Sequence, residues 1–404
     1  MQLNHPQVSR PSNHPADPLR TLLPVFFYFL AAGIATVMLG PLLPALIQRW
    51  HIQDAQAGTL FTVSFTGQFC GAWFATRNLR ASVLYGSAIT AAGCGAMAWV
   101  GFGYAHIALF CVGLGLGLGL TAGNVIAGTA VPAARARLIA LLNVAWGLGA
   151  IACPLLVRMY ASRGVQYFFL AAAVLIAITS LTSISVPKPK QSPELAKRSP
   201  HPASPAQSPQ SRLPLPPLPL FVFGLATFLY VGVENSLGGW LPSYAIRTDP
   251  ALHASSIAIY FWVAELTGRI LVTLLMTSLG EATLYRICLA VLIFTQVLLC
   301  AIVHLSAAGI VTLTVFASLS LGPLYPLIMS FLLARTGNHT RLGALFATAS
   351  FGGATLPWLT GVFSTRFHGL RAGLLVPAAG AVLLLFLSAI ITATPPHHSE
   401  SSTR

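Results

Sequence analysis

Charge is what this sequence has least of: Asp, Glu, Lys and Arg together make up 7% of its 404 residues. A soluble domain carries about 25%, because water must wet its surface. That shortage excludes an ordinary water-soluble globule and leaves lipid as the solvent for most of the surface. Acids are scarcer still, with 8 against 22 basic residues and a net charge of +14. On a soluble chain such an excess would point to nucleic acid; in an apolar one it fits the basic loops of a membrane protein, so no nucleic-acid partner is expected. The six cysteines (Cys70, Cys94, Cys111, Cys153, Cys288, Cys300) contain no CxxC pair and have no histidine cluster beside them. They read as small buried residues, and no metal site or disulfide framework is expected. Neither a Ser–His–Asp arrangement nor a metal-ligand spacing is present, so neither an enzyme nor a cofactor is expected. The first 20 residues are polar and rich in Pro and His, unlike a cleaved secretory signal, and the apolar run that follows is read as a retained span.

What the chain has in abundance is long apolar runs, with 55% hydrophobic residues and a mean hydropathy of +0.77. About 20 apolar residues at 1.5 Å per residue cross a hydrocarbon core of about 30 Å. Backbone groups in lipid find no water, so spans must be helices or a closed barrel. Barrel strands alternate apolar and polar residues; the runs 170–181 and 376–391 do not. The expected fold is therefore an all-α membrane protein with twelve transmembrane helices in two six-helix halves. The expected spans are 21–48, 56–76, 81–104, 106–131, 137–159, 165–186, 218–247, 253–279, 282–304, 307–335, 341–364 and 371–393. The domains follow: a tail at 1–20, an N-terminal half at 21–186, a linker at 187–217, a C-terminal half at 218–393 and a tail at 394–404. The stretch 187–217 is a string of Pro, Ser, Lys and Gln, whose prolines deny it regular helix.

Basic residues divide unevenly between the two ends of the spans, 15 to 6, with Arg77, Arg80, Arg135, Arg137 and the linker's Lys and Arg on the richer side. That bias assigns both termini and the linker to the cytoplasm, and suggests a multi-pass protein of the plasma (inner) membrane. The halves also echo each other. Gly40-Pro-Leu-Leu-Pro-Ala-Leu-Ile47 ends the first span and Gly239-Trp-Leu-Pro-Ser-Tyr-Ala-Ile246 ends the seventh. Gly147-Leu-Gly-Ala-Ile-Ala-Cys-Pro154 in the fifth matches Phe351-Gly-Gly-Ala-Thr-Leu-Pro357 in the eleventh. Two pairs in the same order suggest an internal duplication with a site between the halves. The run Gly113-Leu-Gly-Leu-Gly-Leu-Gly119 has no strand before it, so it reads as a surface for close helix approach and not as a nucleotide loop.

An ionisable group at mid-membrane costs at least about 2.5–3.5 kcal/mol on insertion scales, so it needs a partner or a cavity and marks function by default. Two acids sit deep, Glu234 and Glu265, and Arg269 lies one helical turn beyond Glu265. Tyr230, Glu234, Gly238 and Leu241 share a helix face, and a carboxylate beside the Asn235 amide and aromatic rings suits a hydroxylated ligand. Glu265 and Arg269 can pair along one face as a brace, a gate latch or a coupling device. Neutral polar groups dominate the first half: Gln68, Asn124 and Asn143, the last on the same face as Trp146. Trp240, Trp262, Tyr325 and Trp358 are candidate aromatic walls.

The two-half plan resembles the major facilitator superfamily, and three motifs resemble its fucose-permease and glucose/mannose:proton-symporter branch. They are Phe228-Leu-Tyr-Val-Gly-Val-Glu234 with Trp240-Leu-Pro242, Phe261-Trp-Val263 with Gly268-Arg-Ile270, and Ala349-Ser-Phe-Gly-Gly353. The resemblance implies alternating access and a hexose bound at mid-membrane. The loop between spans two and three reads Gly71-Ala-Trp-Phe-Ala-Thr-Arg77, without the superfamily's usual acid before the arginine, and Gly40 and Leu120 stand where proton-coupled members carry acids. Any proton coupling thus falls to Glu234 or Glu265. The resulting expectation is a monomeric importer of a neutral hexose-like sugar, with or without coupled protons. Substrate contacts would come from Glu234, Asn235, Asn143, Trp146, Trp240, Gln68, Asn124, Trp262 and Tyr325, and coupling from Glu234, Glu265 and Arg269. Two alternatives stand beside it: a polyspecific proton-coupled exporter of apolar cations, and a non-transporting membrane sugar sensor.

Overall fold

A computed structural model describes residues 18–75, 77–131, 134–183, 217–276, 278–336 and 342–392. These residues form fourteen helices: α1 Pro18–Val37, α2 Leu39–Trp50, α3 Asp54–Phe74, α4 Leu79–Met97, α5 Phe102–Ala130, α6 Arg135–Tyr160 and α7 Val165–Ser183, then α8 Pro217–Thr248, α9 Ala254–Leu275, α10 Glu281–Ala301, α11 Ala307–Leu321, α12 Leu324–Thr336, α13 Leu342–Arg366 and α14 Leu370–Ile391. No strand occurs among the described residues. α1 opens at Pro18, inside the stretch expected as a tail. The expected linker 187–217, apart from Pro217, and the tail 394–404 lie outside the described residues.

Fourteen helices make twelve spans because two spans are broken. α1 and α2 bend by 41° where Gly40 and Pro41 follow the break, since proline cannot donate to the turn behind it. Gly322 and Pro323 interrupt the hydrogen-bonded helix between α11 and α12, which run on as one span, Ala307–Arg335. Seven spans are long and apolar enough to cross a membrane unaided, and the bent α1–α2 pair makes eight. The other four, α3, α4, α7 and α13, are shorter or carry more Thr, Ser, Gln and Gly. Local chemistry closes the ends. Gln53 and Gln56 form a capping box on α3, the Ala81 N–H donates to the Asn78 side chain on α4, and Gly309 N–H donates to Ser306 on α11.

Packing repeats at the level of spans. In the first half α1 packs on α6 and α7, α3 on α5, and α4 on α5 and α7. In the second half the corresponding pairs recur: α8 on α13 and α14, α9 on α11, and α10 on α11 and α14. The halves meet through α3 against α13, α6 against α9, and α2 against α8. The first two of these contacts are equivalents of one another under the exchange of halves. The repeat seen in the two short motif pairs is thus a repeat of the whole contact pattern.

Close approach is what the Gly113–Gly119 run supplies. A Cβ added at Gly113 would lie 1.8 Å from the Ser64 carbonyl oxygen of α3, and one at Gly117 would lie 2.0 Å from that of Gln68. Backbone cannot yield as a flexible side chain can. Gly113→Ala is therefore expected to force α3 and α5 apart and to cost about 1–3 kcal/mol, read as a fall in the melting temperature of purified protein. An unchanged melting temperature would contradict this packing.

Hydrogen bonds between the halves gather at one end of the spans, here termed the Asp54 end; the opposite one is the Arg77 end. Asp54, Ala55 and Thr62, within the first nine residues of α3, take part in them. Asp54 receives a bidentate pair from Arg247 at 2.7 and 2.7 Å and the Ser364 hydroxyl at 2.5 Å. The Ala55 N–H donates to Thr365 Oγ1 and the Thr62 hydroxyl to the Ala354 carbonyl, each at 2.9 Å. Beside them Gly40 of α2 meets the Gly238 carbonyl of α8, which a Cβ would approach to 2.3 Å. The Asp54 end is closed.

Candidate functional site

The buried charge of the second half converges on one guanidinium. α8 carries Tyr230 and Glu234 one turn apart, and the Tyr230 hydroxyl donates to Glu234 Oε1 at 2.8 Å. α9 packs beside it and carries Glu265 and Arg269 one turn apart. Arg269 Nη2 donates to Glu234 Oε1 at 2.6 Å and also to Glu265 Oε1, so both carboxylates share one nitrogen of the guanidinium. It lies 3.4 Å from the Tyr230 hydroxyl as well. Glu265 is 1% exposed and Glu234 7%. In such surroundings an unpaired carboxylate would be prohibitive, and a shared arginine is the compensation.

Aromatic rings enclose the triad. Tyr325 of α12 lies against Tyr230 with ring centroids 5.4 Å apart. From the other half, Trp146 of α6 sits over the Arg269 guanidinium at 5.6 Å and meets Trp262 edge to face at 5.8 Å. A cation over an indole face is attracted by the ring quadrupole, so the first half touches the charge cluster through a tryptophan and not through a charge. Phe261 packs on Trp262 at 4.9 Å. Three buried polar atoms here have no partner: Glu265 Oε2, Arg269 Nε and Trp262 Nε1. The cluster carries two acids and one base, and it retains one acceptor and two donors free for a proton, a water or a solute hydroxyl.

The structure therefore brings Glu234, Glu265, Arg269, Trp146, Trp262 and Tyr325 together, and adds Tyr230 as a direct ligand of Glu234. Asn235, on the next position of α8, spends one amide hydrogen on the Val231 carbonyl at 2.8 Å. Asn124 and Asn143 do likewise, to Leu120 at 3.0 Å and Ile139 at 3.1 Å. Asn143 is exposed, one turn nearer the Arg77 end than Trp146, and Gln68 is partly exposed on α3 beside α5. Trp240 stands apart: it is fully buried, its indole N–H donates to the Pro357 carbonyl at 2.9 Å, and its ring lies 6.3 Å from Phe61. The backbone of Trp358 abuts Gly58 where α13 crosses α3. Among the described residues no group of three His, Cys, Asp or Glu side chains could hold a metal ion.

This architecture, with its packing repeated between halves and a charged centre where they meet, agrees with what sequence comparison finds. The profile of the Major Facilitator Superfamily matches residues 25–349, well over half of the chain. The chain belongs to the Major Facilitator Superfamily. It is accordingly a membrane transporter and not an enzyme. It is similar to the Saccharomyces cerevisiae protein named Bypass of stop codon protein 6, with 23% identity over 394 residues, covering 88% of this chain and 79% of the yeast protein. Among solved structures it is similar to the D-xylose-proton symporter, with a TM-score of 0.71 and 16% identity over 92% of this chain and 97% of that one. It is also similar to the transporter FucP in the outward conformation, with a TM-score of 0.60 and 18% identity over 93% and 99%. At these identities the likeness is one of fold.

The shared use of Arg269 by two helices was not visible in the sequence. Glu265 and Arg269 announce themselves by spacing, but Glu234 reaches the same guanidinium from 35 residues away. The usable signal was the count: two deep acids and one deep base in a chain this poor in charge must find one another.

Proposed function

We propose that this superfamily member is a secondary transporter of a neutral hexose-like solute, working by alternating access and coupled to protons through the Glu234–Arg269–Glu265 triad. The observation that carries the reading is the burial of two carboxylates on one arginine, at mid-span, under a tryptophan from the opposite half. A solute hydroxyl can both donate to a carboxylate and accept from an indole or guanidinium N–H, which are the groups left unpartnered there. Trp146 and Trp262 present flat faces for a sugar ring, and the free amide groups of Asn235 and Asn143 can add further contacts. The branch resemblance of the α8 and α9 motifs and the sugar named for the similar xylose symporter support the same class. A proton arriving at Glu265 would weaken its hold on Arg269, loosen the cation under Trp146 and so bias the contact between α6 and α9. With the Arg77 end in the cytoplasm, the closed Asp54 end faces outward and the protein works as a monomer in the plasma membrane.

One observation favours a second reading, export of apolar cations. The triad has one carboxylate in excess beside four aromatic rings, and Asn124, Asn143 and Asn235 each spend a donor on their own helix. Uptake of labelled hexoses into proteoliposomes, with and without an inward proton gradient, separates the two. Gradient-stimulated hexose uptake is expected, and Glu234→Gln should reduce it at least about 100-fold, the cost of a hydrogen bond to a charge with a partner left unpaired. Absence of uptake for every hexose, together with efflux of a lipophilic cation, would establish the second reading.

A further inference from the structure

We infer that Asp54 is the latch that sets whether the Asp54 end is open or shut, with Arg247 and Ser364 as its two keepers. The inference rests on the alternating-access reading only in supposing that this end opens at all. The carboxylate belongs to the first turn of α3, in the first half, and all its side-chain partners belong to the second. Arg247 reaches it from the last turn of α8 with two parallel bonds, and the Ser364 hydroxyl donates from α13. The neighbouring Ala55 N–H, one of the donors a helix start leaves without an intrahelical acceptor, is satisfied by Thr365 and so also by the second half. Asp54 is 9% exposed, and the Gly361 position lies against its carbonyl at 2.3 Å from where a Cβ would stand.

Two features suit these contacts to a latch and distinguish them from a permanent brace. First, the Arg247 side chain is 41% exposed, and it lines an open cavity of about 930 Å³ with Thr248, Tyr244 and Arg371. Water therefore reaches the pair, and a wetted ion pair is weak enough to break. The triad's arginine, by contrast, is only 19% exposed. Second, Asp54 keeps a favourable place when released, because a carboxylate in the first turn of a helix is stabilised by the free N–H groups and dipole there. Opening exchanges an inter-half partner for the start of its own helix and for water. The Asp54 carboxylate faces Arg247 from α8 and Ser364 from α13, and no second acid stands in that contact among the described residues.

The test needs no solute. Spin labels placed at Gln48→Cys on α2 and Phe367→Cys beyond α13, both exposed, span the end between the halves. The background lacks the half-exposed Cys70, Cys111 and Cys300. In full-length protein reconstituted in lipid, pulsed distance measurement is expected to show Asp54→Asn raising the ratio of long to short separations about tenfold, the loss of a charge-assisted contact. Ser364→Ala should raise it less, and the exchanged pair Asp54→Arg with Arg247→Asp should restore the native distribution. A merely structural role would show as lost folding that the exchange does not repair. An Asp54→Asn distribution matching the parent, in protein that elutes and melts normally, would overturn the latch. Failure of hexose uptake in the parent would remove the proposed substrate and leave this result standing.

Discussion

Arg269→Gln is expected to destabilise the protein by about 3–5 kcal/mol, the cost of leaving buried charge without its partner. Two carboxylates, Glu234 and Glu265, would then stand at 7% and 1% exposure with no cation between them. The loss should appear as a large fall in melting temperature in detergent, together with complete loss of transport. Lysine should not substitute well. Its compact ammonium is more strongly hydrated than the guanidinium and lacks the delocalised cation that Trp146 covers.

The companion variants separate stability from function. Adding Glu265→Gln to Arg269→Gln removes one of the stranded charges, and adding Glu234→Gln as well removes both. Stability should return stepwise along that series, because an uncharged hydrogen-bonded set costs far less to bury than an unpaired ion. Transport should not return. If uptake recovered with stability in the triple variant, the triad would be a brace for α8 and α9 alone, and the coupling role proposed for it would be lost.

How much of this could be read from the sequence depends on distance along the chain. The spans were legible because lipid imposes one rule on every backbone group, and the apolar runs report it locally. Glu265 with Arg269 was legible because one helical turn separates them. The breaks after α1 and α11 were legible only as prolines, since Pro154, Pro242, Pro357 and Pro377 sit inside unbroken helices. Contacts that depend on how the halves dock left no local mark. Asp54 and Arg247 lie 193 residues apart, and each reads singly as a charge at a span end, where water would satisfy it. Trp146 over Arg269 likewise depends on α6 meeting α9. The duplication carried the missing information: pairing α3 with α13 and α9 with α6 is one contact written twice, and α3 then has to meet the second half along its length.

Trp240 is where expectation and structure lead to different experiments. Its motif, next to the glycines of α8, suggests an aromatic wall for a sugar ring. The side chain is instead 0% exposed, hydrogen-bonded to the Pro357 carbonyl and packed on Phe61 of the first half. The indole N–H thus ties α8 to the Pro357 carbonyl of α13. Trp240→Ala should therefore cost about 3–5 kcal/mol through the cavity it leaves, seen as a drop in melting temperature. Trp240→Phe keeps most of the volume and loses the donor, so it should be about 1–3 kcal/mol less stable while its apparent affinity for transported solute stays within about twofold, the residual of a ring that touches no ligand. Trp262→Phe, by contrast, removes a buried N–H that has no protein partner, on a ring packed against the Trp146 that covers Arg269. Its stability should hold and its affinity should fall. A large affinity loss in Trp240→Phe with unchanged melting would return that ring to the solute site.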